Sequence, residues 1–212
     1  MYFLRPGENF PSIELANEDG LLAVGGDLSV ERLQEAYRRG IFPWYDASQP
    51  ILWWSPDPRM VLFPDELKVS KSMKQLLRKG AFKVTFNSAF EEVITACAAI
   101  KRGGQQGTWI TPHMKQAYLK LHRLGWAYSV EVWQEDFLAG GLYGIYLKEQ
   151  KVFCGESMFT KVSNASKYGF IQLVEKLKEE GVQLIDCQLH TNHLESLGAR
   201  EIARKEFQKY LF

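Results

Sequence analysis

Asp186 and Gln188 stand two positions apart in an apolar run, Val182 to Leu189, that reads as a β-strand. Side chains two apart on a strand share a face, so this pair points one way and Cys187 the other. A carboxylate beside an amide can orient a proton donor or hold an attacking amine. The same two residues serve equally well as a satisfied polar pair at a sheet edge. His190 continues the parity and joins the face if the strand extends that far. The second concentration of chemistry is Phe153-Cys154-Gly155-Glu156-Ser157-Met158-Phe159. Alternation groups Glu156 with Cys154 and Met158, and Phe153 with Gly155 and Ser157. A glutamate inside an apolar strand is costly to bury alone, which points to an ion pair or a site for a cationic ligand. Gly155 marks a bulge or a close backbone approach.

Other chemistries find less support. A Cys–His nucleophile would have to combine Cys154 or Cys187 with His190 or His193, with no motif behind it. The serine-hydrolase pattern G-x-S-x-G is absent. Four histidines occur without HExxH or clustered carboxylates, so no metal is expected. Three cysteines, Cys97, Cys154 and Cys187, form no CxxC, and their odd number argues against a disulfide framework. They read as small buried hydrophobes in a reducing cytosol.

The elements that must carry these residues follow from periodicity and caps. Asp19-Gly20 turns a loop-rich start into a short strand, Leu21 to Val24, which ends at Gly25-Gly26. Ser29 caps a helix with Leu33, Ala36 and Tyr37 inward, stopped by Gly40. Residues 43–58 hold Trp44, Trp53 and Trp54 among four prolines, a rigid aromatic stretch fit for inter-domain packing or for stacking on bases. Ser70 caps a short helix bearing Lys71, Lys74, Arg78 and Lys79, the densest basic cluster of the chain. Val84 to Phe86 is a strand, and Ser88-x-x-Glu91 reads as a capping box before a helix through Ala98. Arg102 to Gly107 is a glycine-rich connector. Thr111 caps and Pro112 opens a helix whose inward face is Met114, Tyr118, Leu121 and Leu124. Three strands follow, Ala127 to Trp133, Phe137 to Leu147 and Val152 to Phe159. A strong helix begins at Ser163 or Asn164, and the Asp186 strand enters the sheet by a crossover. Leu194 to Gly198 and Glu206 to Leu211 close the chain.

The whole composition is ordinary. Among 212 residues, Lys+Arg 26 against Asp+Glu 25 leave a net charge of +1, so any hold on a polyanion must be a local patch. No apolar run approaches the roughly 20 residues of a membrane span, and the opening residues are broken too early for a secretory signal. An antiparallel meander, a helix and a parallel strand follow the order of the N-acetyltransferase-like (GNAT) fold. Acetyltransferases cradle a pyrophosphate on a glycine-rich turn at the strand–helix junction. Here that junction is Thr160-Lys161-Val162-Ser163-Asn164-Ala165, with no glycine, which speaks against coenzyme A.

Seven segments in order resemble the bacterial leucyl/phenylalanyl-tRNA–protein transferases. They are Gly20 to Leu28, Gly40 to Trp44, Leu52-Trp53-Trp54-Ser55-Pro56-Asp57-Pro58-Arg59, Gly107 to Thr111, Phe153 to Phe159, Leu184 to Gln188, and His193 to Ala199. The resemblance implies a cytoplasmic, monomeric enzyme that takes Leu or Phe, and Met less readily, from aminoacyl-tRNA. The acceptor it implies is the α-amine of a protein beginning with Arg or Lys, and the product is marked for N-end-rule degradation. No cofactor, metal, ATP or membrane is implied. The implied fold is α+β, a small N-terminal domain over 1–62 on a GNAT-like domain over 63–212 with a mixed, mostly antiparallel sheet.

By that resemblance Asp186 and Gln188 form the catalytic pair, Asp186 holding the Gln188 amide, with Glu156 beside them orienting the amine or the terminal ribose. The aminoacyl pocket is expected from Phe153, Met158, Leu142 and Ile185. Trp44 and Trp109 are expected to stack on the terminal adenine. Lys71, Lys74, Arg78 and Lys79 are expected to meet the tRNA backbone. His190 is outside the motif and takes no role. Two other readings stand beside this one: a non-enzymatic RNA-binding module, and a cell-wall-type aminoacyl-tRNA transferase on the same fold.

Overall fold

A computed structural model describes residues 2–5, 7–100 and 108–212. The connector expected at Arg102 to Gly107 lies outside the described residues. Two sheets organise the chain. The first has four strands in the order β1-β2-β4-β3: β1 (Tyr2–Leu4), β2 (Leu21–Gly25), β3 (Phe42–Pro43) and β4 (Leu52–Trp54). Helix α1 (Val30–Arg38) links β2 to β3, its first turn closed by the Ser29 hydroxyl, which accepts from the Arg32 N–H at 3.3 Å. Trp53 of β4 is fully buried and donates its indole N–H to the Gly25 carbonyl at 2.9 Å.

The second sheet has seven strands. Their sequence order is β5 (Arg59–Leu62), β6 (Lys83–Phe86), β7 (Ala127–Gln134), β8 (Phe137–Leu147), β9 (Val152–Thr160), β10 (Leu184–Gln188) and β11 (Arg200–Ile202). In space they run β11-β5-β10-β9-β8-β7-β6, and only the β9–β10 pair is parallel. This is the α+β arrangement expected, with a mixed and mostly antiparallel sheet. One feature differs from the sequence reading: Arg59–Leu62, placed at the end of the first domain, pairs in the large sheet. Of the two readings left open for Asp186 and Gln188, the sheet-edge one does not hold, since β10 sits between β9 and β5.

Helix α5 (Ala165–Glu179) makes the crossover from β9 to β10. It lies tight on the sheet because glycines stand at the crossing: a Cβ on Gly169 would come 2.5 Å from Val132, and one on Gly140 2.8 Å from Ala165. Helix α2 (Lys71–Arg78) packs through Met73 against Tyr168 and Ile171 of α5, leaving its lysines outside. Helices α3 (Phe90–Ala99) and α4 (Pro112–Arg123) cover the opposite face. Thr111 caps α4 as its sequence required, accepting from the Met114 N–H at 3.1 Å. The expected capping box at Ser88 does not form. Ala89, one residue later, precedes the helix and caps nothing, and the Ser88 hydroxyl donates to the Phe86 carbonyl. Two short helices, α6 (Asn192–Ser196) and α7 (Arg204–Gln208), flank β11. Among the described residues no helix is long and apolar enough to cross a membrane.

Candidate active site

Between the two sheets lies a cavity of about 420 Å³, within the usual range for small-molecule sites. Phe42, Pro43 and Trp44 of the small sheet form one wall, and β8, β9, β10 and α5 form the other. Leu142, Phe153, Met158, Ile185 and Phe170 make its apolar floor. Simple alternation would put Phe153 and Met158 on opposite faces of β9. The register slips between Tyr143↔Ser157 and Gly144↔Gly155, and this bulge turns Met158 onto the face of Phe153. Gly155 is at the bulge, as its presence in the strand suggested. Cys154 packs in the opposite core, so the expected grouping of Glu156, Cys154 and Met158 on one face is not what forms.

At the bulge Glu156 faces the cavity with both carboxyl oxygens engaged. Oε1 accepts from the Tyr37 hydroxyl at 2.8 Å and from Gln188 Nε2 at 3.4 Å. Oε2 accepts from the Tyr118 hydroxyl at 3.0 Å. Tyr37 comes from α1 and Tyr118 from α4, and their hydroxyl oxygens lie side by side. Burial pushes Glu156 up to about 8, although the two phenol donors and Arg59 pull the other way. Both tyrosines sit well above the usual range, first through burial and then through the Glu156 charge. They are therefore permanent donors.

Asp186 is buried behind the cavity wall and is not part of its lining. Its Oδ1 accepts from Arg59 Nε and its Oδ2 from Arg59 Nη2, both at 2.7 Å, a bidentate pair. The Arg59 guanidinium lies 4.9 Å over the ring of Phe42 and 4.7 Å over that of Phe207. The same Oδ1 accepts the Gln188 backbone N–H at 3.0 Å. Gln188 has φ of +58°, a left-handed conformation costing about 1–2 kcal/mol for a residue with a side chain. β10 also shifts register here against β5. The strand parity expected for Asp186 and Gln188 is thereby broken. Gln188 and Cys187 both reach the cavity, and Asp186 points away from it. Asp186 thus grips the main chain of Gln188, while the side-chain amide meets Glu156.

Trp44 and Trp109 both line the cavity mouth; the Trp54 indole N–H donates to the Trp44 carbonyl at 2.7 Å and steadies that rim. Lys71, Lys74, Arg78 and Lys79 are exposed on α2, outside the cavity. His190 is exposed and pairs with Glu195. Cys154 and Cys187 are buried, and burial raises both thiols, which makes them poor nucleophiles. Among the described residues no three His, Cys, Asp or Glu side chains gather to hold a metal. Sequence reasoning assigned no chemistry to Tyr37, Tyr118 or Arg59. The first two were read as inward helix faces, and a phenol that is inward looks the same as a core residue in a periodic pattern. Arg59 stood inside a quoted motif without a partner to give it meaning.

The family model described as leucyl/phenylalanyl-tRNA protein transferase matches residues 61–212, and the model of that family's N-terminal domain matches residues 26–57. The chain belongs to this family. Relatives bearing the family name align along its whole length. That of Christiangramia forsetii is 65% identical over 100% of both chains, and that of Flavobacterium johnsoniae 59% identical over 100% of this chain and 99% of the relative. The Pseudomonas fluorescens (strain Pf0-1) protein is 58% identical, covering 98% of this chain and 91% of its own. A solved GCN5-related N-acetyltransferase from Kribbella flavida aligns more loosely, at 10% identity and a TM-score of 0.42, over 80% of this chain and 60% of its own. Membership in the family makes the chain an aminoacyltransferase and favours neither alternative reading of the sequence.

Proposed function

We propose that the protein moves Leu or Phe, and also Met, from aminoacyl-tRNA to the α-amine of proteins beginning with Arg or Lys, in the cytoplasm, as a monomer, tagging them for N-end-rule degradation. The observation that carries this reading is the full-length family match joined to an apolar cavity that ends in Glu156 and Gln188. Leu142, Phe153, Met158 and Ile185 accept the aminoacyl side chain. Such a floor discriminates by only about 1–3 kcal/mol per methylene, so tolerance of Leu, Phe and Met together is physically natural. Trp44 and Trp109 stack on the terminal adenine.

The ester is already activated, so the enzyme's task is alignment and proton movement. The acceptor amine nitrogen bonds to the ester carbonyl carbon, the bond from that carbon to the ribose oxygen breaks, and one amine proton ends on the departing hydroxyl. With Gln188 Nε2 directed at Glu156, its amide oxygen is the atom left to accept from the amine. Glu156, raised by burial to about 8, lies near the α-ammonium range of about 7.7–8.0, so its carboxylate can take the amine proton close to neutral pH. Asp186 and Arg59 act through Gln188 as positioning residues.

The deciding assay incubates the protein with labelled Leu-tRNA and peptides beginning with Arg, Lys or Ala. Transfer to the first two and little to Ala is expected, unchanged by EDTA or by omission of ATP. Strict dependence on a metal, or binding without turnover, would sink the proposal.

The α2 cluster gives a separate expectation. Exposed Lys71, Lys74, Arg78 and Lys79 on one short helix would neutralise tRNA phosphates. Replacing Lys74 and Arg78 with Ala should weaken tRNA binding and lower the slope of log affinity against log salt by about 1.4–1.8, from 0.7–0.9 per phosphate. An unchanged slope would leave the cluster a solvated surface.

A further inference from the structure

Beyond Met158 and His193, which it shares with the aminoacyl cavity, a second groove of about 480 Å³ runs along the first turn of α5. Its walls are Thr160, Ser163, Asn164, Ser166 and Lys167, with Ile100 and Phe159 beneath. Four observations there point to an anion. Asn164, the residue before the helix, adopts φ of +68° and its side chain caps nothing. The Lys167 N–H, at the third helical position, therefore lacks the side-chain acceptor that caps α1, α2 and α4, and the Ser166 N–H before it has no acceptor among the described residues. Ser166 is only 8% exposed, lines the groove, and its hydroxyl has no partner among the described residues. The buried Nε2 of His193 is likewise without a hydrogen-bond partner.

Charge agrees with this. Lys167 makes no ion pair among the described residues, and no carboxylate lines the groove. Glu91 and Glu92 line an adjoining groove on the α3 side, where Lys161 also stands. His193 is held below the usual histidine range by burial and then by the Lys167 charge, so it enters neutral, able to donate one hydrogen bond without adding repulsion. The first turns of α5 also pack against α2 through Tyr168 and Met73.

We propose that this groove binds the phosphodiester immediately 5′ to the terminal adenosine of the donor tRNA, held by the Ser166 and Lys167 N–H groups, the Ser166 hydroxyl, the Lys167 ammonium and His193. The inference rests on the aminoacyl-adenosine reading of the neighbouring cavity. It assigns a single phosphodiester, not a pyrophosphate, because the turn before α5 holds no glycine to wrap one.

The test compares two probes: 3′-(phenylalanylamino)-3′-deoxyadenosine, the stable amide analogue of the tRNA terminus, and the same compound bearing a 5′-methyl phosphodiester. Wild-type protein should bind the second on the order of tenfold more tightly, the strength of one charge-assisted hydrogen bond. In a Lys167→Ala, Ser166→Ala double variant, which keeps both N–H groups and His193 but loses the ammonium and the hydroxyl, that ratio should fall severalfold. Alanine keeps the helix propensity of both positions, and circular dichroism checks the fold. A wild-type ratio near unity, or a ratio unchanged in the double variant, overturns the phosphate site. Failure of wild-type protein to bind either probe instead overturns the reading of the cavity, and the phosphate site with it.

Discussion

Replacing Asp186 with alanine is expected to lower kcat by on the order of 10²–10⁴ while KM for Leu-tRNA stays nearly constant. Asp186 does not line the cavity, so no substrate contact is removed. What is lost is the acceptor for the Gln188 N–H, at 3.0 Å, that holds this residue in its left-handed conformation. Gln188 then relaxes toward ordinary strand geometry and its amide leaves Glu156. Removing the carboxylate also strands the buried Arg59 guanidinium, whose Nη1 already lacks a partner among the described residues. Deleting one member of a buried pair costs about 3–5 kcal/mol, to be read from urea unfolding. Asp186→Asn separates the two effects. An amide oxygen in the Oδ1 place still accepts from Arg59 Nε and from Gln188, and only the Nη2 bond is lost. Single-turnover rates for this variant should stay within about tenfold of wild type, with stability reduced. A loss as large as that of alanine would mean that the Asp186 charge itself drives the reaction.

Much of this arrangement was legible in the sequence, and what was missed has a common cause. The meander β7–β9, the crossover α5 and the parallel entry of β10 follow from alternation, caps and turn residues, all local signals. The pairing of β5 with β10 depends on residues separated by about 120 positions, and nothing within Arg59-Met60-Val61-Leu62 reports it. Strand parity singled out Glu156, Asp186 and Gln188 and oriented their strands wrongly at two points. Both are bulges, at Gly155 to Ser157 and at Asp186 to Gln188, where one displaced residue reverses every later side chain. Gly155 gave warning of the first; a glutamine at positive φ gave none of the second. Tyr37 and Tyr118 illustrate the remaining limit. Their helical spacing places them inward, and only the meeting of α1, α4 and β9 in space turns two core residues into donors for Glu156.

The pH profile should carry the signature of that meeting. With Glu156 near 8, kcat/KM for an Arg-peptide acceptor should rise with pH and level off above about 8, as the carboxylate able to take the amine proton becomes populated. The acceptor amine titrates in the same region, so the decisive measurement is displacement of the inflection by variants that leave the peptide untouched. The tyrosine hydroxyls donate to Glu156 and favour its charged form. Tyr37→Phe or Tyr118→Phe should therefore move the inflection upward, and the double variant further. Glu156→Gln should flatten this limb and lower the plateau by on the order of 10²–10⁴. Stability provides an independent reading of the same group. Below the ordinary carboxylate value of 4.5 both folded and unfolded chains hold the proton. Between that pH and about 8 only the folded chain holds it, so the stabilising contribution is lost progressively through this window and is gone above it. Glu156→Gln cannot lose a proton. Its Tm advantage over wild type should therefore be smallest at acidic pH and widen up to about 8. A gap that stays constant across that range, with the inflection unmoved in both tyrosine variants, would show that Glu156 keeps an ordinary carboxylate pKa and that the proton is taken elsewhere.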